Sequence, residues 1–144
     1  MIYRLVLDTN VLVSALCNRD GASHLLIRWA LADKIALLAS PPLWLEYESV
    51  LKRPEIRLRH GISPENLDIV LDTLSAHVEP VHLSYLWRPQ LRDPNDEMVL
   101  ETALNAAADV LITFNIKDFA DAAAMFSLKL ATPAECIKLI GDKS

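Results

Sequence analysis

Glycine is scarce in this chain: Gly21, Gly61 and Gly141 are the only three among 144 residues. Both a G-x-x-x-x-G-K phosphate loop and a G-x-G-x-x-G dinucleotide turn need closely spaced glycines, so neither can be assembled and nucleotide-cofactor enzymes of those kinds are excluded. Cysteine is scarcer still. Cys17 and Cys136 stand far apart, offer no C-x-x-C pair or zinc knuckle, and read as two buried thiols in a reducing compartment. His24, His60, His77 and His82 lack zinc spacing. Positive charge is also short: 14 Lys plus Arg against 19 Asp plus Glu leave a net charge of −5, which argues against holding nucleic acid by bulk attraction. Long apolar runs are missing too. The first sixteen residues are apolar enough to resemble a signal peptide, but Asp8 and Asn10 interrupt them, and no other run approaches membrane-spanning length. The chain is expected to be soluble, cytoplasmic and free of membrane association.

What is present is globular: 52% apolar and 23% charged residues suffice for a core. No repeat, low-complexity tract or linker divides the sequence, so residues 1–144 read as one domain. Ile2 to Leu7 reads as a buried strand, followed by helical patterns over Val11 to Cys17 and Ala22 to Leu31, and a second strand from Ile35 to Ala39. Ser40-Pro41, Ser63-Pro64 and Asp93-Pro94 each place a capping side chain before a proline at the first helical turn. The helix after Ser40 is expected to reach about Arg53, and the one after Ser63 to end near His77. Val78 to Leu83 is a weak third strand broken by Pro80. Asp109 to Thr113 is a fourth strand and Ser127 to Ala131 a fifth. Thr132-Pro133-Ala134-Glu135 is a capping box that opens a last helix closed by Gly141. Strands alternating with helices call for an α/β fold with a parallel sheet covered on both faces, whose ligands bind beyond the carboxyl ends of the strands.

Asp8 ends the first strand, where a charge is partly desolvated and needs a partner; capping the next helix is its ordinary alternative role. Thr9 and Asn10 follow, and both can hydrogen-bond a carboxylate or a bound water. Asp96 is more telling. At about 100° per residue, Leu100, Ala103 and Ala107 fall within about 40° of it, so Asp96 is expected at the centre of the buried helix face, with Glu97 and Glu101 turned to solvent. Asp93 is expected to be only the cap. Glu46 and Glu48 both lie on the margins of their helix's apolar face, and periodicity does not choose between them. Thr113 and Asn115 sit at another carboxyl strand end, with Asp118 close behind. In a doubly wound order the first and fourth strands are neighbours at the switch point, so these acids converge. Clustered carboxylates repel, and Mg2+ or Mn2+ is the natural neutraliser.

The segments Leu-Asp8-Thr9-Asn10-Val-Leu-Val-Ser, Ser-Pro-x-Leu-x-x-Glu46-Tyr-x-x-Val-Leu, Arg-Asp93-Pro-Asn-Asp96, Leu-Ile-Thr113-Phe-Asn115-x-Lys-Asp118-Phe and Ala-Thr132-Pro-Ala-Glu together resemble the PIN-domain family, in the branch that holds toxins of toxin–antitoxin systems. The resemblance spans nearly the whole chain. It implies a three-layer α/β/α sandwich around a five-stranded parallel sheet, and a Mg2+- or Mn2+-dependent ribonuclease acting on RNA. By position it implies Asp8, Glu46 and Asp96 as metal ligands, and it is the resemblance that selects Glu46 over Glu48. Thr113 matches the family's hydroxyl position. Asn10 and Asn115 join the catalytic set as orienting groups, although many relatives carry Asp where this chain has Asn115; Asp118 can supply that charge. A cognate antitoxin protein and a homodimer are the partners implied.

The only dense basic stretch, Lys52 to His60, either grips RNA phosphates or is a solvated helix end. Tyr85, Trp87, Arg88 and Arg92 are a comparable candidate for stacking on bases. Two other readings compete. One is a non-catalytic RNA- or protein-binding module with an acidic cation pocket. The other is a phosphatase with Asp8 as nucleophile, disfavoured because such chemistry prefers an acid at position 10, which is Asn.

Overall fold

The computed structural model describes residues 2–85, 91 and 93–141. Five parallel strands, β1 (Arg4–Leu7), β2 (Ala36–Ala39), β3 (Val78–Pro80), β4 (Val110–Ile112) and β5 (Leu130–Ala131), form one sheet in the order β3-β2-β1-β4-β5. β1 is therefore central. Its residues Leu5, Val6 and Leu7 are all buried, as an apolar run covered on both faces should be. The helices are α1 (Thr9–Cys17), α2 (Ala22–Leu31), α3 (Pro41–Leu51), α4 (Pro54–His60), α5 (Pro64–Ser75), α6 (Pro94–Ala106), α7 (Ile116–Met125) and α8 (Pro133–Gly141). α6 packs across β1, β2 and β4, while α2 packs against both α1 and α8, completing the three-layer α/β/α arrangement.

The helix starts follow one local grammar. Ser40 Oγ accepts the Leu43 N–H, Ser63 Oγ the Asn66 N–H and Asp93 Oδ1 the Asn95 N–H, each ahead of a proline in the first turn. In α8 the capping box closes in both directions, Thr132 Oγ1 accepting from the Glu135 N–H and Glu135 Oε1 from the Thr132 N–H. Two helices were not separately expected. The basic Lys52–His60 stretch breaks at Pro54 and makes its own short helix, α4, which buries none of its residues and ends on Gly61 at φ +65°. α7 fills the connection between β4 and β5.

Two expectations for α6 are overturned. Glu97 and Glu101 are buried, at 4% and 0% exposure, rather than turned to solvent. The face assigned to water is covered by the chain that precedes α6. Asn105 Oδ1 accepts the N–H groups of Ser84 and Tyr85 at 2.9 and 3.0 Å, its amide donates to the Tyr85 carbonyl, and Glu97 Oε1 accepts the Leu91 N–H. Ala107, placed on the buried face by periodicity, instead ends the helix at φ +51° and is exposed.

Candidate active site

The β1–α1 junction carries Asp8 in the position that caps α1, yet its side chain makes no capping hydrogen bond further into the helix. Capping alone therefore does not account for this residue. Instead Asp8 Oδ2 accepts a 2.8 Å hydrogen bond from the Thr113 hydroxyl, at the end of neighbouring β4. Thr113 Oγ1 in turn accepts the Asn115 N–H at 2.9 Å, which commits its one proton to Asp8. Asp8 is 5% exposed and Thr113 fully buried. Burial raises the Asp8 carboxyl above its ordinary pKa; the Thr113 hydroxyl and the Thr9 N–H oppose this, while the charges of Asp93 and Asp118 add to it.

Asp96 sits in the first turn of α6, half-buried, where burial together with the charges of Asp8, Asp93 and Asp118 pushes its carboxyl up to about 6. The Asp8 charge acts on Asp96, so the two carboxylates lie within electrostatic reach of one another, and the charges of Asp93 and Asp118 act on both. Asp93 thus does more than cap. Among the described residues no lysine or arginine makes an ion pair with Asp8 or Asp96.

Asn10 and Asn115 are exposed at the starts of α1 and α7, and Asn115 makes no side-chain capping bond. Asp118 lies exposed in the first turn of α7. Glu46 is placed differently from these: its carboxylate lies 4.0 Å from Arg53 Nη2 and is not among the charges that perturb Asp8 or Asp96. Glu48 is taken by Lys52, which also reaches Asp68. Of the basic stretch, Arg57 and Arg59 are exposed and form no ion pair among the described residues. Tyr85 is exposed, whereas Trp87, Arg88 and Arg92 lie outside the described residues.

The crevice fits a hard divalent ion by its donors. Two carboxylates lack a cationic partner, and beside them Thr9 Oγ1 is buried with no hydrogen-bond partner among the described residues. No three His, Cys, Asp or Glu side chains among the described residues converge into a complete cage. A cavity of about 320 Å3 between α3 and β3, lined by Trp44, Ser40, Val78 and Pro80 among others, contains none of these acids.

By helical spacing Tyr47 counts only as part of the apolar face of α3. Its ring is buried, edge-on to Trp44 at 5.9 Å, and its hydroxyl donates to the carbonyl of Leu7, the residue before Asp8. Burial and the Asp8 charge push that hydroxyl far above the usual phenol range, so it remains a donor. The sequence signal was available, since a buried tyrosine needs a partner for its O–H.

In parallel α/β sheets ligands bind where the strand order reverses, beyond the carboxyl end of the central strand, and here β1 ends there in Asp8. The family model of the PIN domain matches residues 4–117, and the chain belongs to the PIN-domain family. PIN domains are generally nucleases and typically use divalent metal ions. No curated protein matches this chain. No helix among the described residues is long and apolar enough to cross a membrane.

Proposed function

We propose that this PIN domain is a Mg2+- or Mn2+-dependent ribonuclease that hydrolyses RNA phosphodiester bonds, and that it serves as the toxin of a toxin–antitoxin pair in the cytoplasm. The observation that carries the enzymatic reading is the Asp8–Asp96 crevice, two mutually repelling carboxylates with no cation against them among the described residues.

A bound divalent ion would supply charge neutralisation at the scissile phosphate and make a water more acidic. Asp8 and Asp96 would hold it. Thr113 fixes which way the Asp8 carboxylate faces, and Asn10 and Asn115 present amides at the crevice mouth to orient water or a phosphate oxygen. Glu46 is assigned to the attacking water, as its base; this requires it to leave Arg53, which RNA phosphates at Arg53 would favour. The water oxygen bonds to phosphorus, the bond from phosphorus to the 3′ oxygen breaks, and a proton passes to that oxygen. The products are a 5′-phosphate and a 3′-hydroxyl. The exposed Arg57 and Arg59 of α4 support an RNA track leading away from the crevice.

The toxin assignment, with a cognate antitoxin and a second copy of the chain as partners, rests on the motif resemblance alone. The competing reading, a non-catalytic module with a cation pocket, draws on Asn115 and on the Glu46–Arg53 pair. Incubating single-stranded RNA with the protein and Mn2+ separates them. Cleavage that Asp8→Asn and Asp96→Asn abolish supports the enzyme; RNA left intact by a folded, Mn2+-loaded protein rejects it.

A further inference from the structure

We propose that Tyr47 is a positioning residue for Asp8, acting by clamping the Leu7–Asp8 peptide group. The inference rests on the reading above, in which Asp8 holds a divalent ion. Strand alternation puts the carbonyls of Tyr3, Leu5 and Leu7 on the β2 side of β1, where the Tyr3 carbonyl accepts the Ala36 N–H at 2.9 Å. The registered β1–β2 pairs are Arg4 with Ala36 and Leu5 with Leu37, so the Leu7 carbonyl lies past the last of them. At that level the chain leaves β2 through Ser40, which caps α3. The Leu7 carbonyl is buried here, and the Tyr47 hydroxyl is the donor that reaches it.

The other end of the same peptide group is held from the opposite side, because the Asp8 N–H donates to the Ile112 carbonyl of β4 at 2.9 Å. One rigid plane is therefore pinned at both edges, by α3 on one side and β4 on the other. That plane fixes the direction in which the Asp8 side chain leaves the backbone, and Thr113 then fixes its far end. Among the described residues, Tyr47 supplies the restraint on this peptide that comes from α3. Groups that orient a ligating carboxylate set how well it binds metal without touching the ion themselves.

Tyr47→Phe removes the hydroxyl and keeps the ring that packs on Trp44. Its control is Ser40→Ala, which takes away a buried hydroxyl of the same helix start, bonded at 2.7 Å to Thr102 rather than to β1. The measurement is Mn2+ affinity by electron paramagnetic resonance, with circular dichroism reporting the fold. We expect wild type to bind Mn2+, Asp8→Asn to lose that binding, and Tyr47→Phe to weaken it about tenfold or more. Ser40→Ala should stay within about twofold of wild type, although it also melts earlier. Wild-type affinity in Tyr47→Phe, or equal weakening in both variants, overturns the positioning role and leaves the metal reading standing. A wild type that binds no Mn2+ overturns both.

Discussion

Thr113 and Asp8 lie on adjacent strands, and the hydroxyl of one donates to the carboxylate of the other inside the protein, with the Asn115 N–H behind it fixing the proton's direction. This short relay distinguishes a site acid from a helix cap. Thr113→Val, nearly the same shape without the hydroxyl, should raise the Asp8 pKa further, because it removes the strongest group favouring the charged form. Cleavage at fixed metal should fall about 10- to 100-fold, with part of the loss recovered at higher Mn2+ or higher pH. Unchanged rates would mean that the bond only packs the sheet.

Asp96 makes the pH dependence specific. Its carboxyl is raised from an ordinary 3.8 to about 6 in the folded state. A folded pKa above the unfolded one favours folding fully below about 3.8, and that contribution is lost as pH rises through about 6. The metal-free protein should therefore lose stability across that window, and Asp96→Asn should flatten the profile. Metal binding runs the opposite way, since the ion displaces the proton: affinity should climb by up to about tenfold per pH unit until about pH 6 and then level off. Melting curves and Mn2+ titrations between pH 4 and pH 8 test both arms.

Adding millimolar Mg2+ or Mn2+ at neutral pH should raise the melting temperature of the wild type, because the ion binds the folded crevice and relieves its repulsion. Asp96→Asn should melt higher than wild type without metal and respond less to it. A metal-free Asp96→Asn protein that melts lower, with an undiminished metal shift, would make Asp96 a structural acceptor.

Asp93 separates capping from chemistry. Asp93→Ala removes the bond to the Asn95 N–H and should cost about 1 kcal/mol in urea unfolding. Asp93→Asn keeps a capping oxygen and should cost less. Both remove a charge that repels Asp96 and so should lower its pKa, while leaving cleavage in place.

Arg57 and Arg59 have no ion-pair partner among the described residues. If they bind phosphates, each change to Ala should weaken binding of single-stranded RNA similarly across sequences. Each should also reduce the slope of log affinity against log salt by about 0.7. An unchanged slope would return α4 to the role of a solvated helix.

What could be read in advance followed from local chemistry. The cap-and-proline starts at Ser40, Ser63 and Asp93, the capping box at Thr132, and the unbroken run into Asp8 each depend on neighbours in sequence, and each forms as read. The misses depend on what covers an element. Glu97 and Glu101 look solvated on a helical wheel, and the bonds from Ser84 and Tyr85 to Asn105 and from Leu91 to Glu97 come from residues the wheel does not contain. Periodicity left Glu46 and Glu48 equivalent, and the folded chain gives each its own cation, Arg53 and Lys52. The Tyr47 hydroxyl announces itself only as a group needing some partner, and helical spacing does not show that the partner is the Leu7 carbonyl, 40 residues away.

The strand order carries a consequence in time. β1 leaves the ribosome about a hundred residues ahead of its neighbour β4 and Thr113. Until then Asp8 has neither its hydroxyl donor nor the Ile112 carbonyl that holds its peptide. A nascent or prematurely terminated chain that stops before β4 can fold its first helices without acquiring the crevice. Asp8 thus gains its hydroxyl donor only once β4 and Thr113, 105 residues further along the chain, have been made.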